Sequence, residues 1–495
     1  MIRRALPAAA ATLLLAGPTV LAFFSGGYFA EPRLVAAIVA WALVLALAVA
    51  GPVPLPRSRA GQIALAGLVL LTIWSALSVS WAPLKGPAIQ SVQRLVLYTG
   101  ALLVAVGVLR IPRILRAVEP AVSAGILVVI GYGLSERLLP GLVELERSRS
   151  AGGRLEQPLT YWNAEGALAA MGLVLCARLA GDRSRPGWMR VAAAAAAVPL
   201  GAGVYLSYSR GAIAVAVLGL VVLVAAAPSR AQVRAVAVAL AAAVAAAAAA
   251  AVFPTVASLD GGDRTRDGAI ALALLAALAA GAGVATARGL TAAPAAAPRW
   301  TRRLGPVTAG LFAAVAIGLV IAGLSERPSA AQLAAGADAR RLTTATSYRY
   351  EYWRVALRAF GREPLTGLGA GGFRVAWLKE RPVPERVRDA HSLELEFAAE
   401  LGLPGLLAFL LLAGGVGAAA RTAVRREPEV AAGAAAATLA WFVHASIDWD
   451  WQLPAVTLPA VVLTGVLLTV TERPADPAAA AAPAPAAPPP DRARA

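Results

Sequence analysis

Histidine, lysine, cysteine and charge in general are scarce in this chain of 495 residues. It has two histidines, one cysteine and two lysines, Lys85 and Lys379, and charged residues make up only 15% of it. The single cysteine, Cys176, excludes an intramolecular disulfide and a CxxC metal site. A soluble protein usually carries about 25% charged residues, which it needs to cover its surface. A soluble globular enzyme is therefore excluded.

Apolar residues are correspondingly abundant at 59%, the opposite of the composition that keeps a chain disordered. A bilayer core of ~30 Å needs about 20 mostly apolar residues per helix. Fourteen runs approach that length: 5–25, 34–50, 61–79, 95–109, 117–135, 159–177, 191–206, 211–227, 235–253, 269–287, 304–324, 401–420, 430–446 and 453–470. The sequence thus predicts an all-α polytopic membrane protein with about 14 transmembrane helices, and at least about 12.

The net charge of +17 would suggest nucleic acid if it lay on one soluble face, but the basic residues are scattered between apolar runs. No nucleic-acid partner is expected. Arginine and lysine in short loops favour the cytoplasmic side of a membrane. With the N-terminus inside, the inner segments hold 23 basic residues and the short outer segments hold 10. Both termini are therefore predicted to be cytoplasmic.

Four regions follow from this map. Residues 1–324 contain helices 1–11, residues 325–393 form one large extracytoplasmic loop, residues 394–472 contain helices 12–14, and residues 473–495 form a cytoplasmic tail. The tail is rich in alanine and proline and is predicted to be disordered. The large loop has 12 basic, 7 acidic and seven aromatic residues, enough for a folded cap with short helices. Loops of this length are disproportionately functional.

Placing a polar residue at the edge of a membrane span costs free energy, so each such residue is a candidate for function. Arg210 lies in YLSYSRGA, in a hairpin so short that its guanidinium must sit at the interface. It could bind an anion such as a phosphate, since the guanidinium fork matches phosphate geometry. Alternatively, it could extend to lipid headgroups.

The two histidines differ in their surroundings. His391 lies where the large loop meets the next span, and its ordinary pKa near ~6.5 suits proton abstraction at neutral pH, although a lone histidine is more often structural. His444 precedes Asp448 by four residues, so the two are predicted to share a helical face and form a structural pair. Trp449 and Trp451 resemble aromatic-belt anchors at the membrane interface.

The large loop contains SYRYEYWRVALRAFGREPLTGLGAGGF. Its first half predicts an amphipathic helix with Arg349, Trp353, Arg354 and Arg358, which either presents cations over the membrane or forms a solvated basic face. Its second half satisfies GxGxxG, but no βαβ unit surrounds it, so these glycines are predicted to form turns after a proline.

Four segments together resemble the O-antigen ligase and O-antigen polymerase superfamily of integral membrane glycosyltransferases. They are GRLEQPLTYWNAEGALA, YSRGA, RYEYWRVALRAFGREPLTGLGAGGF and HSLELEFAAELGLPG. The last is the most specific, because it fits the pattern H-[NS]-x-x-L followed by an acidic residue and a glycine. In this chain those positions are His391, Ser392, Leu395, Glu400 and Gly402.

The resemblance implies glycan transfer without metal or cofactor, on the outer face of the cytoplasmic membrane. The donor would be an undecaprenyl-diphosphate-linked glycan, and the acceptor a glycan, lipid or protein hydroxyl, among membrane lipids. Arg210 and a second arginine, Arg349 or Arg354, would bind the diphosphate, and His391 would accept the acceptor's proton. Supporting roles would fall to Asn163, Ser392, Glu400, His444 and Asp448.

The chemistry of these residue types agrees with that implication. Two fixed guanidiniums could stabilise a departing diphosphate, a general base is typically worth ~10² to 10⁴-fold, and direct displacement would invert the anomeric carbon. Two other functions stay open: a transporter or flippase of lipid-linked sugars or small anions, and a structural membrane component. A transporter usually binds near the membrane midplane, whereas these residues gather at one face, which favours the enzyme.

Overall fold

The computed structural model describes residues 2–291, 301, 336–338, 342 and 347–473, and over these residues it is helical and contains no strand. Two short 3₁₀ turns, Ser25–Gly27 and Asp450–Gln452, interrupt the connections. The α-helices are α1 Ile2–Ala22, α2 Ala30–Ala50, α3 Arg59–Ser78, α4 Lys85–Leu109, α5 Pro112–Leu138, α6 Trp162–Gly181, α7 Gly187–Leu206, α8 Arg210–Ala226, α9 Arg230–Ala251, α10 Pro254–Ala257, α11 Arg264–Ala287, α12 Arg349–Arg362, α13 Phe373–Glu380, α14 Leu393–Arg426, α15 Pro428–Ala445 and α16 Pro454–Glu472.

The predicted apolar runs correspond closely to these helices. Among the described residues, 11 helices are long and apolar enough to cross a membrane. The 17-residue α8 and the 18-residue α15 coincide with two further predicted runs. The run at 304–324 and the tail from 474 onward lie outside the described residues. The predicted all-α membrane architecture is confirmed, while the total of 14 and the orientation stay predictions.

Local sequence signals explain where several helices begin. Ser58, Ser209, Ser229 and Asp263 each accept a backbone N–H from the first turn of the helix that follows. Such side chains satisfy amide groups that have no partner within the helix. Proline occupies the first turn of α5, α15 and α16, where its missing N–H costs nothing.

The helices form a bundle with α6 at its centre, since this helix is buried from Ala164 to Gly181. By contrast α2 exposes large apolar side chains such as Ile38 and Val49, which are 68% and 77% exposed and suit contact with lipid. Close packing relies on small residues, as is usual between membrane helices. A Cβ at Gly67 of α3 would lie 2.4 Å from the backbone of Leu412 in α14.

Consecutive helices joined by short connections run antiparallel, so their connections fall at two ends of the bundle. The cavity end contains the connections at 22–30, 138–162, 206–210 and 445–454 and the start of α14. The distal end contains those at 109–112, 181–187, 226–230 and 426–428. The described part of the predicted cap has α12 and α13 packed around a small apolar core of their own, which includes Tyr352, Phe373 and Trp377.

Candidate functional site

A cavity of about 720 Å³ opens at the cavity end and is built almost entirely from helix termini and connections. Polar and aromatic side chains dominate its wall. Its charged lining residues comprise five arginines, two carboxylates and one histidine: Arg154, Arg210, Arg349, Arg386, Arg388, Glu385, Asp389 and His391. The cavity is therefore suited to an anionic ligand.

The structure brings four of the nine predicted site residues together in the lining of this cavity. Arg210, Arg349, His391 and Asn163 all line this cavity, although they are distant in sequence. Arg354 is not among the lining residues and pairs with Glu351 one turn away on α12. Of the two arginines between which the sequence could not choose, Arg349 is the one that reaches the cavity.

Arg349 opens α12 and pairs with the fully buried carboxylate of Asp448, which precedes α16. The Tyr161 hydroxyl donates to the same carboxylate at 2.6 Å, and the Asn163 amide donates to that hydroxyl at 2.7 Å. Burial alone would raise the pKa of Asp448, but Arg349 and then His391 hold this pKa below its usual value. Asp448 is therefore an anion that fixes one edge of the Arg349 guanidinium, and Arg349 retains further N–H groups for a ligand.

His391 lies beside this pair. Its Nδ1 is 3.0 Å from the Asp389 carbonyl oxygen, and its Nε2 is 4.0 Å from Oδ1 of Asp448. Burial lowers the pKa of His391, Arg349 lowers it further, and Asp448 opposes both without cancelling them. The ring is therefore neutral at pH 7. Because a neutral Nδ1–H donates to the carbonyl, Nε2 is left as the proton acceptor.

The backbone at His391 is in the left-handed region, with a φ of 52°. Thr160 and Tyr208, which also line the cavity, have φ values of 63° and 49°. Residues other than glycine seldom adopt this conformation, and where they do the surroundings must hold them there. Such backbone strain is concentrated at functional sites.

Hydrogen bonds on both sides of His391 supply that support. The Ala390 N–H donates to Glu396 at 3.1 Å, and the Ser392 hydroxyl donates to Glu394 at 3.2 Å. Ser446, at the end of α15, donates to the other oxygen of Glu394 at 2.6 Å. Ser392 therefore acts in the turn that presents His391 and does not line the cavity.

Glu400, one turn beyond Glu396 on α14, has a similar supporting position. Its carboxylate accepts the N–H groups of Gly371 at 2.6 Å and Phe373 at 3.0 Å, which fixes the glycine segment against α14. Gly367 and Gly369 have positive φ angles, and a Cβ at Gly367 would lie 2.4 Å from the Glu400 backbone. The prediction that these glycines belong to turns is confirmed.

The predicted pairing of His444 with Asp448 is wrong. Helix α15 ends at Ala445, so residue 448 no longer shares a helical face with His444. The chain instead turns back through the 3₁₀ segment, and Nδ1 of His444 contacts the buried carboxylate of Asp450. This leaves Asp448 to Arg349, and His444 lies behind the cavity wall.

The prediction that Trp449 and Trp451 are aromatic-belt anchors is also wrong. Trp449 lines the cavity, where its ring centroid lies 4.3 Å from that of Tyr161. Trp451 is 6% exposed, and its carbonyl accepts the Tyr98 hydroxyl at 2.7 Å. The segment folds inward with its two carboxylates paired to Arg349 and His444, and the Arg349 partner is too distant in sequence to be seen in a local pattern.

Sequence reasoning did not single out several residues of the site. No pattern in the sequence pointed to Tyr161, Tyr352, Arg388 or Tyr28. Tyr352 lies against His391, with ring centroids 5.1 Å apart, and Arg388 donates to the Tyr28 hydroxyl at 3.0 Å. Tyr161, Tyr352 and Arg388 lie within three residues of Asn163, Arg349 and His391 in sequence, whereas Tyr28 is distant from all three.

Comparison with known families gives one match. Residues 262–410 match the family described as O-antigen ligase, which confirms the resemblance seen in the sequence. The matched region contains Arg349, His391 and Glu400, whereas Arg210 and Asp448 lie outside it. No curated protein matches the chain. The family and the apolar helices together indicate an integral membrane protein that transfers glycosyl groups.

Proposed function

We propose that this chain, whose residues 262–410 match the O-antigen ligase family, transfers a glycan from an undecaprenyl-diphosphate-linked donor to an acceptor hydroxyl. The acceptor is a glycan, a lipid or a protein. The reaction takes place on the outer face of the cytoplasmic membrane and needs no metal. The observation that carries the proposal is the convergence of Arg210, Arg349 and His391 on one cationic cavity.

The donor is bound through its diphosphate. Arg210 begins α8 and Arg349 begins α12, so each guanidinium is attached to a rigid helix end at the cavity wall. The N-termini of helices also carry a partial positive charge, which adds to the attraction for an anion. Because Asp448 holds Arg349 from behind, that guanidinium is already oriented when the donor arrives.

The acceptor hydroxyl is activated by His391. Its neutral Nε2 takes the hydroxyl proton as the oxygen attacks the anomeric carbon, and the bond from that carbon to the diphosphate oxygen breaks. The electron pair leaves with the diphosphate, whose added charge is stabilised by Arg210 and Arg349. Attack opposite to the leaving group inverts the anomeric configuration. The proton then passes from His391 to solvent.

The position of the cavity bears on the transporter alternative. Its lining comes from connections and helix ends, including Tyr28, Thr160, Ser209 and Trp449. Transporters typically build their site near the midplane from discontinuous helices. The position therefore supports an enzyme that works at one surface of the membrane.

The test is transfer of a lipid-linked oligosaccharide by the purified full chain in detergent. We expect His391→Ala to slow transfer by ~10² to 10⁴-fold, the usual contribution of a general base. Arg210→Ala should slow it by ~10² to 10³-fold, as for loss of one charge-stabilising donor.

Arg354→Ala is the matched control, because this arginine is on the same cap helix as Arg349 but does not line the cavity. It should keep nearly normal transfer. Full transfer by both His391→Ala and Arg210→Ala would contradict the mechanism. Movement of intact donor across a vesicle membrane, without any glycan transfer, would favour the transporter.

A further inference from the structure

Aromatic side chains form a continuous row in the wall of the cationic cavity. The ring centroid of Tyr161 lies 5.0 Å from that of Trp162 and 4.3 Å from that of Trp449. The centroid of Trp449 lies in turn 6.5 Å from that of His391. All four residues line the cavity. We call Trp162, Tyr161 and Trp449 the aromatic row, and it ends beside the proposed base.

Both ends of the aromatic row are held in place. The guanidinium of Arg154 lies 3.5 Å from the centre of the Trp162 ring, and it donates to the Ala151 carbonyl at 2.6 Å. At the other end the Trp449 backbone N–H donates to the carboxylate of Asp448 at 2.9 Å. Rings that are fixed before a ligand arrives lose little conformational entropy when it binds.

Polar groups accompany these rings. Trp162 and Trp449 are half-buried, and neither indole N–H donates to a described residue. Asn163, which follows Trp162 and also lines the cavity, uses one amide N–H for the Tyr161 hydroxyl at 2.7 Å. Its second N–H and its carbonyl oxygen stay available for a ligand. This part of the wall therefore combines flat apolar faces with hydrogen-bond donors and an acceptor.

A sugar ring matches this combination. The C–H groups of a pyranose make its faces partly apolar, whereas its hydroxyls project around the edge. An aromatic ring has an electron-rich face that attracts such C–H groups, and a few polar groups then fix the orientation of the ligand. A hydrocarbon chain would leave the two indole N–H groups and the Asn163 amide without partners, which costs free energy. The aromatic row is therefore suited to a carbohydrate.

The position of Trp449 indicates which sugar is within its reach. Its backbone follows Asp448, the partner of Arg349, and its ring lies beside His391. In the proposed reaction the anomeric carbon must lie between the diphosphate on Arg349 and the base. That carbon belongs to the first sugar of the donor, and the remaining sugars of the donor are bonded to this one.

We propose that the aromatic row binds the glycan of the donor, with the first sugar on Trp449 and the second on Trp162. The identity of the donor rests on the function proposed above. Arg210 and Arg349 recognise the diphosphate, which is present before and after the reaction, whereas the row recognises the sugars. After transfer the bare diphosphate lacks the contacts with the row, which favours its release.

The first measurement is equilibrium binding to the purified full chain in detergent. The probes are farnesyl diphosphate and its three conjugates with glucose, galactose or N-acetylglucosamine on the terminal phosphate. We expect at least one sugar to strengthen wild-type binding by about tenfold, equal to about 1.4 kcal/mol. Trp449→Leu should lose this gain and bind farnesyl diphosphate like the wild type. Trp449→Phe, which keeps an aromatic face, should recover most of the gain.

Trp188→Leu is the matched control, because Trp188 is 70% exposed near the start of α7, at the distal end. It should keep the full gain from the sugar. The proposal would be overturned if no sugar strengthened wild-type binding, or if Trp449→Leu kept the gain. A parallel loss of farnesyl diphosphate binding in both Trp449 variants would also overturn it, because the ring would then support the diphosphate site and not the sugar.

The second measurement is transfer of a lipid-linked oligosaccharide. Trp449→Leu should raise the KM for the donor by about tenfold and leave the KM for the acceptor unchanged. The reverse result would place the acceptor on the row and refute the proposal. A wild-type chain that gains affinity from the sugar but transfers no glycan would refute the proposed function alone. Normal transfer with a normal donor KM in Trp449→Leu would refute only the role of the row.

Discussion

Arginines concentrate at both ends of the bundle, but their surroundings differ. At the distal end Arg178 donates to Gln232 at 3.0 Å and to the Glu429 carbonyl at 2.6 Å, which ties α6 to α9 and α15. Arg110 similarly joins α4 to α16 through Glu472 at 2.9 Å. At the cavity end Arg210, Arg349 and Arg388 line an open space. Arg178 and Arg110 thus join helices at the distal end, whereas the three named at the cavity end line a cavity.

The largest effect that separates the two ends is expected from Arg178→Ala. Its loss leaves the Gln232 and Glu429 acceptors buried without their donor, and each such orphan costs ~1 to 3 kcal/mol. We expect unfolding in mixed detergent micelles to become easier by about 2 to 4 kcal/mol, with the KM of the folded fraction unchanged. A changed KM with normal stability would show that the distal end also serves the ligand.

A smaller effect is expected from Arg349→Lys, and it should fall on transfer and not on stability. Lysine keeps the charge opposite Asp448 but loses the fork that can hold both a carboxylate and a phosphate. Transfer should slow by about tenfold to a hundredfold, equal to about 1.4 to 2.7 kcal/mol, with little change in unfolding. Arg354→Lys, on the same helix, is the control and should leave transfer nearly unchanged. Equal losses of transfer in both variants would contradict a specific role for Arg349.

The smallest expected effect is a displacement of the pH profile. Only neutral His391 accepts a proton, so activity is present above its pKa and is lost as the pH falls through it. Since burial and Arg349 place this pKa below 6.5, the acid limb of kcat/KM should lie below pH 6.5. Asp448 raises the pKa of His391, so Asp448→Asn should move the limb further toward acid; a limb above pH 6.5 would argue against His391 as the base.

The sequence was sufficient to predict the helices because bilayer thickness imposes a length that composition reveals directly. It also singled out Arg210 and His391, which border apolar runs, and the family resemblance added Arg349; these three residues line one cavity. It failed at His444, where the helical spacing to Asp448 predicted a pair that the end of α15 at Ala445 prevents. Contacts such as Tyr161 with Asp448, or Arg388 with Tyr28, join residues hundreds of positions apart, and no local pattern encodes them.

The central position of α6 has a consequence for biogenesis. This helix is buried from Ala164 to Gly181 and carries Glu165 and Arg178, whose side chains are unfavourable in lipid. Its neighbours α7, α8 and α9 follow it at once during synthesis, but α15, which supplies the Glu429 carbonyl to Arg178, begins only at Pro428. About 250 residues must therefore leave the ribosome before the last side of α6 is covered. During that interval the insertion machinery or a membrane chaperone would have to shield the exposed side of α6 from lipid.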